Sequence, residues 1–330
     1  MKTIRLLLYS VLISALFITS CKKEEETTPI IESQVLTEFL ESSNSPLGKN
    51  YVNSDLPSII LAEAVHTDLL AGTDIYIVDI RSDVDFDAGH IDGAKNVAAG
   101  SVLDYLQTEG LAMDDKIVIV CYTGQTAGWV TSVLRLYGYS NAFSMKWGMS
   151  SWNSAFAGKW QGNVSNTYAT QFEKDNVAKG VAGDLPTLNT GKTTGQEIFE
   201  ARVADVLAEG FNAAKVSNTE VFANLNNYYV VNYWADTDYD YYGHIPGAMQ
   251  YTPKESMAHS VDLTTLPTDK TVVIYCWTGQ TSAFLTAYLR ILGYNAKSLL
   301  FGANGMIYDN LEGHKWSDNE IKEYDFVTGN

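Results

Sequence analysis

Short runs of β-branched and other apolar residues alternate with longer amphipathic stretches along most of the chain, punctuated by Gly, Pro, Asn and Asp. Runs too short for helices that alternate with helix-length patterns read as buried strands feeding helices. They predict a parallel sheet covered on both faces. The clearest unit is Lys116-Ile117-Val118-Ile119-Val120, which leads into Cys121-Tyr122-Thr123-Gly124-Gln125-Thr126 and a helical pattern over residues 126–137. Gly138 stands where a helix C-cap belongs. The same plan returns as Thr271-Val272-Val273-Ile274-Tyr275, then Cys276-Trp277-Thr278-Gly279-Gln280-Thr281, then a helical run closed by Gly293.

Around these units the pattern predicts helices over residues 32–41, 59–70, 101–109, 196–209 and 220–225. It predicts strands over 75–78, 141–145 and 228–231. Phe86-Asp87-Ala88-Gly89-His90-Ile91-Asp92-Gly93-Ala94 reads as turns around a single histidine. Tyr242-Gly243-His244-Ile245-Pro246-Gly247-Ala248 matches it in the second half. The chain is therefore a domain-sized internal duplication rather than a solenoid. We expect domains over residues 33–157 and 196–330, joined by a Gly-, Asn- and Thr-rich connection over 158–195 in which periodicity fades.

Both cysteines stand where a strand hands over to a helix. Free backbone N–H groups and the positive helix end converge there and stabilise an anion. A thiolate is such an anion, so the expectation is a lowered thiol pKa. A single cysteine at a strand end reads more simply as a small buried hydrophobe. The same loop twice, at matched junctions, argues for chemistry. Gly124 and Gly279 let the backbone curl toward a charged sulfur. Thr123 and Thr278 supply further donors, and Thr126 and Thr281 serve either as donors or as helix caps.

Taken together, Asp79-Ile80-Arg81, Gly89-His90-Ile91, Gly93-Ala94 and the strand running into Cys-x-x-Gly-x-Thr resemble the rhodanese family in both residues and order. The resemblance covers most of residues 55–160 and 215–315. It implies two α/β domains, each a central parallel sheet flanked by helices on both faces. It also implies sulfur transfer. Cys121 and Cys276 would be the catalytic thiols, and residues Tyr122, Thr123, Gly124, Gln125 and Thr126 with Trp277, Thr278, Gly279, Gln280 and Thr281 the substrate-binding loops. Asp79, Arg81, His90 and His244 would be structural, and no cofactor is implied. The partners would be a small sulfur-containing anion or persulfide donor and a thiol acceptor.

Departures from that pattern are informative. Many family members that use thiosulfate carry a basic residue in the loop, but Tyr122, Thr126, Trp277 and Thr281 occupy those places here. A persulfide or polysulfide donor thus stands beside thiosulfate. The second half replaces Asp-x-Arg with Asn232-Tyr233-Trp234. A phosphatase or arsenate reductase loop would end in Arg, whereas Ala127 and Ser282 lie six residues after the cysteines. The competing reading is a non-catalytic rhodanese-like binding module. The aromatic stretch over residues 226–242 is then either a contact surface or a half-buried strand edge.

The N-terminus adds a location. Met1-Lys2-Thr3-Ile4-Arg5, an apolar run over residues 6–17 and Ile18-Thr19-Ser20-Cys21 describe a signal peptide over residues 1–20. The stretch ending in Cys21 resembles a bacterial lipobox, which implies lipidation of Cys21 and a charged tether over residues 21–32. That tether is similar to the surface-export signal of lipoproteins in the Bacteroidetes group. We expect a protein of the bacterial cell envelope, held to the outer membrane through its lipid alone and facing outward. The formal charge is -17, and loss of residues 1–20 leaves 20 bases against 39 acids. Such a surface argues against nucleic acid as a partner and against broad steering of anions. Five histidines and two remaining cysteines show no metal-ligand spacing. The two thiols could pair with each other, but no disulfide framework is implied.

Overall fold

The two apolar runs that end in the cysteines become the central strands of two separate sheets. In the computed structural model, which describes residues 30–329, the first sheet holds β1 (Ile59–Ile60), β2 (Tyr76–Asp79), β3 (Lys95–Asn96), β4 (Ile117–Val120) and β5 (Ala142–Met145). Its strand order is β1-β5-β4-β2-β3, and every pairing is parallel. The second holds β6 (Lys215–Val216), β7 (Tyr228–Asn232), β8 (Met249–Gln250), β9 (Thr271–Tyr275) and β10 (Ala296–Leu299). Its order is β6-β10-β9-β7-β8, again all parallel. All four residues of β4 are buried, as expected for a strand with helices on both faces.

The helices after the cysteines, Gln125–Tyr137 and Gln280–Ile291, are buried on almost every side. A helix that is apolar all round has something to bury against on each face. Here one face lies on its own sheet and another on the partner helix across the domain boundary. The approach is close: a Cβ added at Gly128 would stand 2.9 Å from the Phe284 ring. Ser132 Oγ donates to Phe284 O at 2.8 Å. One hydrophobic core accordingly runs through both domains, from Leu36 to Ala296.

Several boundaries differ from the sequence reading. The stretch 59–70 is not one helix. Ile59 and Ile60 pair with Ser144 and Met145, and the helix starts at Ala62. The turn region after Arg81 contains a helix, Asp83–Ala88, capped by Ser82, whose Oγ accepts from Asp85 N. The helices after the cysteines start at Gln125 and Gln280 with Gly124 and Gly279 as N-caps, so Thr126 and Thr281 lie inside the first turn and cap nothing. The signal, Cys21 and residues 22–29 of the tether lie outside the described residues.

The connection over 158–195 is largely irregular, yet it has defined partners. Residues 165–175 run along the second domain, where Ser165 N donates to Asn304 O and Tyr168 N to Met306 O. There Glu173 and His244 exchange backbone hydrogen bonds. Residues 322–327 run along the first domain in the same manner. Lys322 N donates to Ser151 O, Tyr324 N to Trp152 O, and Val327 exchanges bonds with His90. The strap that follows each domain is thus laid on the other one.

Candidate active site

Each cysteine loop turns its carbonyls outward and its amides inward. In the first loop, Cys121 O accepts from Met149 N at 2.8 Å, and Tyr122 O accepts from Ser150 N and Ser150 Oγ. Thr123 O accepts from Trp160 Nε1, and Gly124 O from Gly128 N and Ser144 Oγ. With these oxygens engaged outside, Gly124 N and Ala127 N point at Cys121 Sγ, at 3.2 and 3.4 Å. Gly124 has a φ of +78°, a conformation that an L side chain rarely adopts, and this left-handed step lets the amides converge.

The second loop repeats the design. Cys276 O accepts from Ala303 N, Trp277 O from Asn304 N and Nδ2, and Gly279 O from Ala283 N and Ser298 Oγ. Ser282 N donates to Cys276 Sγ at 3.3 Å, and the Ser282 hydroxyl lies 3.6 Å from the same sulfur. Both cysteines are free thiols and both are buried, at 6% and 2% exposure.

Burial changes the electrostatic expectation. Removal from water pushes the Cys121 thiol up from its ordinary value, against the pull of the Ala127, Thr123 and Gly124 amides. The Asp79 carboxylate adds to the upward push. For Cys121 the lowered thiol pKa expected from the helix end is therefore corrected: desolvation outweighs the amides in its resting loop.

The surroundings of the two loops differ in kind. Asp79 and Arg81 form a buried ion pair at 2.6 Å, and Arg81 Nη2 also donates to Gly89 O. The Arg81 guanidinium lies 5.1 Å from the Tyr122 ring centre and 5.3 Å from that of Phe156. Its Nη1 has no hydrogen-bond partner among the described residues. Tyr122 donates its hydroxyl hydrogen to Asp85 Oδ1. In the second domain Asn232 donates to the Tyr275 hydroxyl instead, and Trp234 stacks on Trp277 at 3.9 Å. His314 also stacks on Trp277, with ring centres 5.3 Å apart. Burial lowers the His314 pKa, helped by the charge of Lys146.

The histidines sit apart from this chemistry. His90 stacks on Phe86 at 3.6 Å, and its Nδ1 bonds to Phe86 O. His244 stacks on Tyr239, with Ile245 O and Asp175 O at its two ring nitrogens. Both hold turns together. Among the described residues no group of three or more His, Cys, Asp or Glu could hold a metal ion.

Sequence reasoning missed the turns under the loops, Trp147-Gly148 and Phe301-Gly302. A Cβ on Gly148 would stand 2.2 Å from Cys121 O, and one on Gly302 would stand 2.2 Å from Cys276 O. An aligned glycine at nearly the same offset after each cysteine was the available signal.

A parallel sheet whose central strand runs into an amide-lined cysteine loop, present twice in one chain, defines a tandem protein of one family. The model of the rhodanese-like domain matches residues 62–155 and 224–306, and the chain belongs to that family. Its relatives include a thiosulfate sulfurtransferase of Pseudoalteromonas translucida, 30% identical over 92 residues, which make up 28% of this chain and 86% of that one. A thiosulfate sulfurtransferase of Pseudomonas entomophila is 35% identical over 89 residues, or 27% of this chain and 80% of that one. Among solved structures, a thiosulfate sulfurtransferase of Pseudomonas aeruginosa aligns over 91% of this chain and 49% of its own, at 13% identity and a TM-score of 0.31.

Proposed function

We propose that this chain is a sulfurtransferase that carries sulfane sulfur on Cys121 and Cys276. The Cys121 thiolate attacks the outer sulfur of thiosulfate, a persulfide or a polysulfide. The new S–S bond forms as the donor's S–S bond breaks, and sulfite, a thiolate or a shortened polysulfide departs with the electron pair. A thiol or cyanide then attacks the terminal sulfur, and the Cys121 thiolate leaves. The observation that carries this reading is the pair of inward amides, of Gly124 and Ala127, at Cys121 Sγ, with the loop's outward carbonyls engaged elsewhere. Such donors stabilise a terminal anionic sulfur where charge builds up. Names of relatives that match at about a third identity support the same class.

Tyr122 to Thr126 and Trp277 to Thr281 form the binding loops in this proposal, and Asp79, Arg81, His90 and His244 support them. The chain is held to the bacterial envelope by lipid on Cys21. A second reading, a binding module without turnover, is favoured by one observation: burial pushes the Cys121 thiol up rather than down.

Intact mass of the full chain in detergent, after exposure to thiosulfate and separately to polysulfide, tests the choice. It is run on the unaltered chain, on Cys121→Ser and on Cys276→Ser. A gain of one sulfur per cysteine that cyanide discharges, and that each substitution lowers by one, is the expected result. No gain from either donor, with both thiols free and reduced, leaves the binding module.

A further inference from the structure

The turns beneath the two loops are held by residues from the opposite domain. In the first domain the Trp147-Gly148 turn feeds Met149 N and Ser150 N, which engage the carbonyls of Cys121 and Tyr122. In the second, Phe301-Gly302 feeds Ala303 N and Asn304 N, which engage those of Cys276 and Trp277. Trp147 and Phe301 have φ of +64° and +61°. A bulky aromatic residue keeps that conformation only where its surroundings impose it.

The restraint comes across the domain boundary, twice. Trp147 N donates to Gln280 Oε1 at 3.3 Å, and Phe301 N donates to Gln125 Oε1 at 2.8 Å. Both glutamines are buried, at 1% and 2% exposure. Each amide also presses on the glycine of the opposite loop. A Cβ on Gly124 would stand 2.5 Å from Gln280 Oε1, and one on Gly279 would stand 2.3 Å from Gln125 Oε1.

We propose that Gln125 and Gln280 are crossed positioning residues: Gln280 holds the Cys121 loop in working shape and Gln125 holds the Cys276 loop. Each sulfur site is therefore completed by the other domain. A buried N–H that loses its acceptor must find another partner, so the turn rotates. When it rotates, the bonds that keep the loop carbonyls outward weaken and the amides no longer converge on sulfur. The kinetic consequence rests on the sulfurtransferase reading, whereas the structural one does not.

Gln280 is the cleaner probe, because its side chain bonds to Trp147 in the other domain, whereas Gln125 Nε2 also donates to Thr123 Oγ1 in its own loop. In the full chain carrying Cys276→Ser, Gln280→Met keeps the length and removes the acceptor, and Gln280→Glu keeps an acceptor oxygen. Two readouts are taken: backbone hydrogen exchange over residues 121–127 and 147–150, and sulfur loading at Cys121 from thiosulfate or polysulfide. Expected for Gln280→Met are faster exchange in both first-domain segments and about a tenfold lower maximal loading rate with little change in the donor concentration at half rate. Gln280→Glu should restore protection and most of the rate. The proposal is overturned if Gln280→Met leaves both exchange and loading at the parent values, or if Gln280→Glu behaves like Gln280→Met. Faster exchange with no loading in any variant keeps the crossed restraint and removes the sulfurtransferase reading instead. Should Gln280→Met fail to fold, Gln125→Met read at Cys276 in the Cys121→Ser chain decides the question in the same way.

Discussion

Replacing Gly148 by alanine should disable the first cysteine loop with one methyl group. The added carbon would stand 2.2 Å from Cys121 O, 2.7 Å from the Tyr122 carbonyl carbon and 2.8 Å from Gly124 N. All three are backbone atoms of the loop, so no flexible side chain can swing away. Gly148 also has φ of +59° and ψ of -152°, a region that side chains avoid. Backbone strain of that kind costs about 1–3 kcal/mol, and overpacking adds about 1–3 kcal/mol. At roughly 2–4 °C per kcal/mol for a protein of this class, the melting temperature should fall by about 10 °C. Calorimetry on Gly148→Ala and on Gly158→Ala measures this directly, because a Cβ at Gly158 meets nothing within 4 Å. Sulfur loading should fall far more at Cys121 than at Cys276, and Gly302→Ala should reverse that order. A Gly148→Ala protein that melts and loads at Cys121 like Gly158→Ala would refute the steric argument.

Further outcomes follow from the same geometry. Because burial raises the Cys121 thiol pKa, the folded state holds that proton more tightly than the unfolded chain does. Its contribution to stability is therefore present below the ordinary thiol value of about 8.5 and is lost as pH rises through the folded value; alkylation of Cys121 should still be climbing with pH above the ordinary thiol range, and a plateau at neutral pH would contradict the assignment. Asp79→Ala leaves the buried Arg81 guanidinium unpaired and should cost about 3–5 kcal/mol in denaturant unfolding. The double change Asp79→Asn with Arg81→Trp, which copies Asn232 and Trp234, should cost less. Removing residues 321–330 uncovers Trp152 and Phe156, which Tyr324 and Phe326 contact, and should lower the melting temperature while raising binding of a hydrophobic dye. Independently of the geometry, the proposed lipid on Cys21 is tested by Cys21→Ser, which should move the chain from the membrane pellet to the soluble fraction and abolish incorporation of labelled fatty acid.

What the residues disclosed about the fold depended on repetition and period. The paired cysteine loops, their strands and the helices closed by Gly138 and Gly293 were legible because each carries a strong pattern and occurs twice. Strands of two residues carry no period, so Ile59–Ile60 merged with the helix behind it, and β3, β6 and β8 left no trace. The thiol of Cys121 was misjudged because a helix end is visible in sequence, whereas the depth at which it lies is not. Gln125 and Gln280 were legible as loop members only. That each reaches a turn in the opposite domain follows from the packing of two buried helices, which no local pattern encodes. The straps were equally hidden, since backbone bridges such as Glu173 with His244 place little demand on side chains.

The exchanged straps impose an order on folding. His244 receives its bridge from Glu173, a residue already synthesised when the second domain begins to form. His90 receives its bridge from Val327, so the first domain waits until the strands of the second sheet have emerged as well. Closing so long a loop adds little entropy per extra residue, but it delays the contact in time. The domain made first is therefore the one finished last. A product that ended before residue 321 would carry both sheets and both cysteine loops with Trp152 and Phe156 lacking the cover of Tyr324 and Phe326, a form that chaperones and proteases can recognise by its exposed aromatic face.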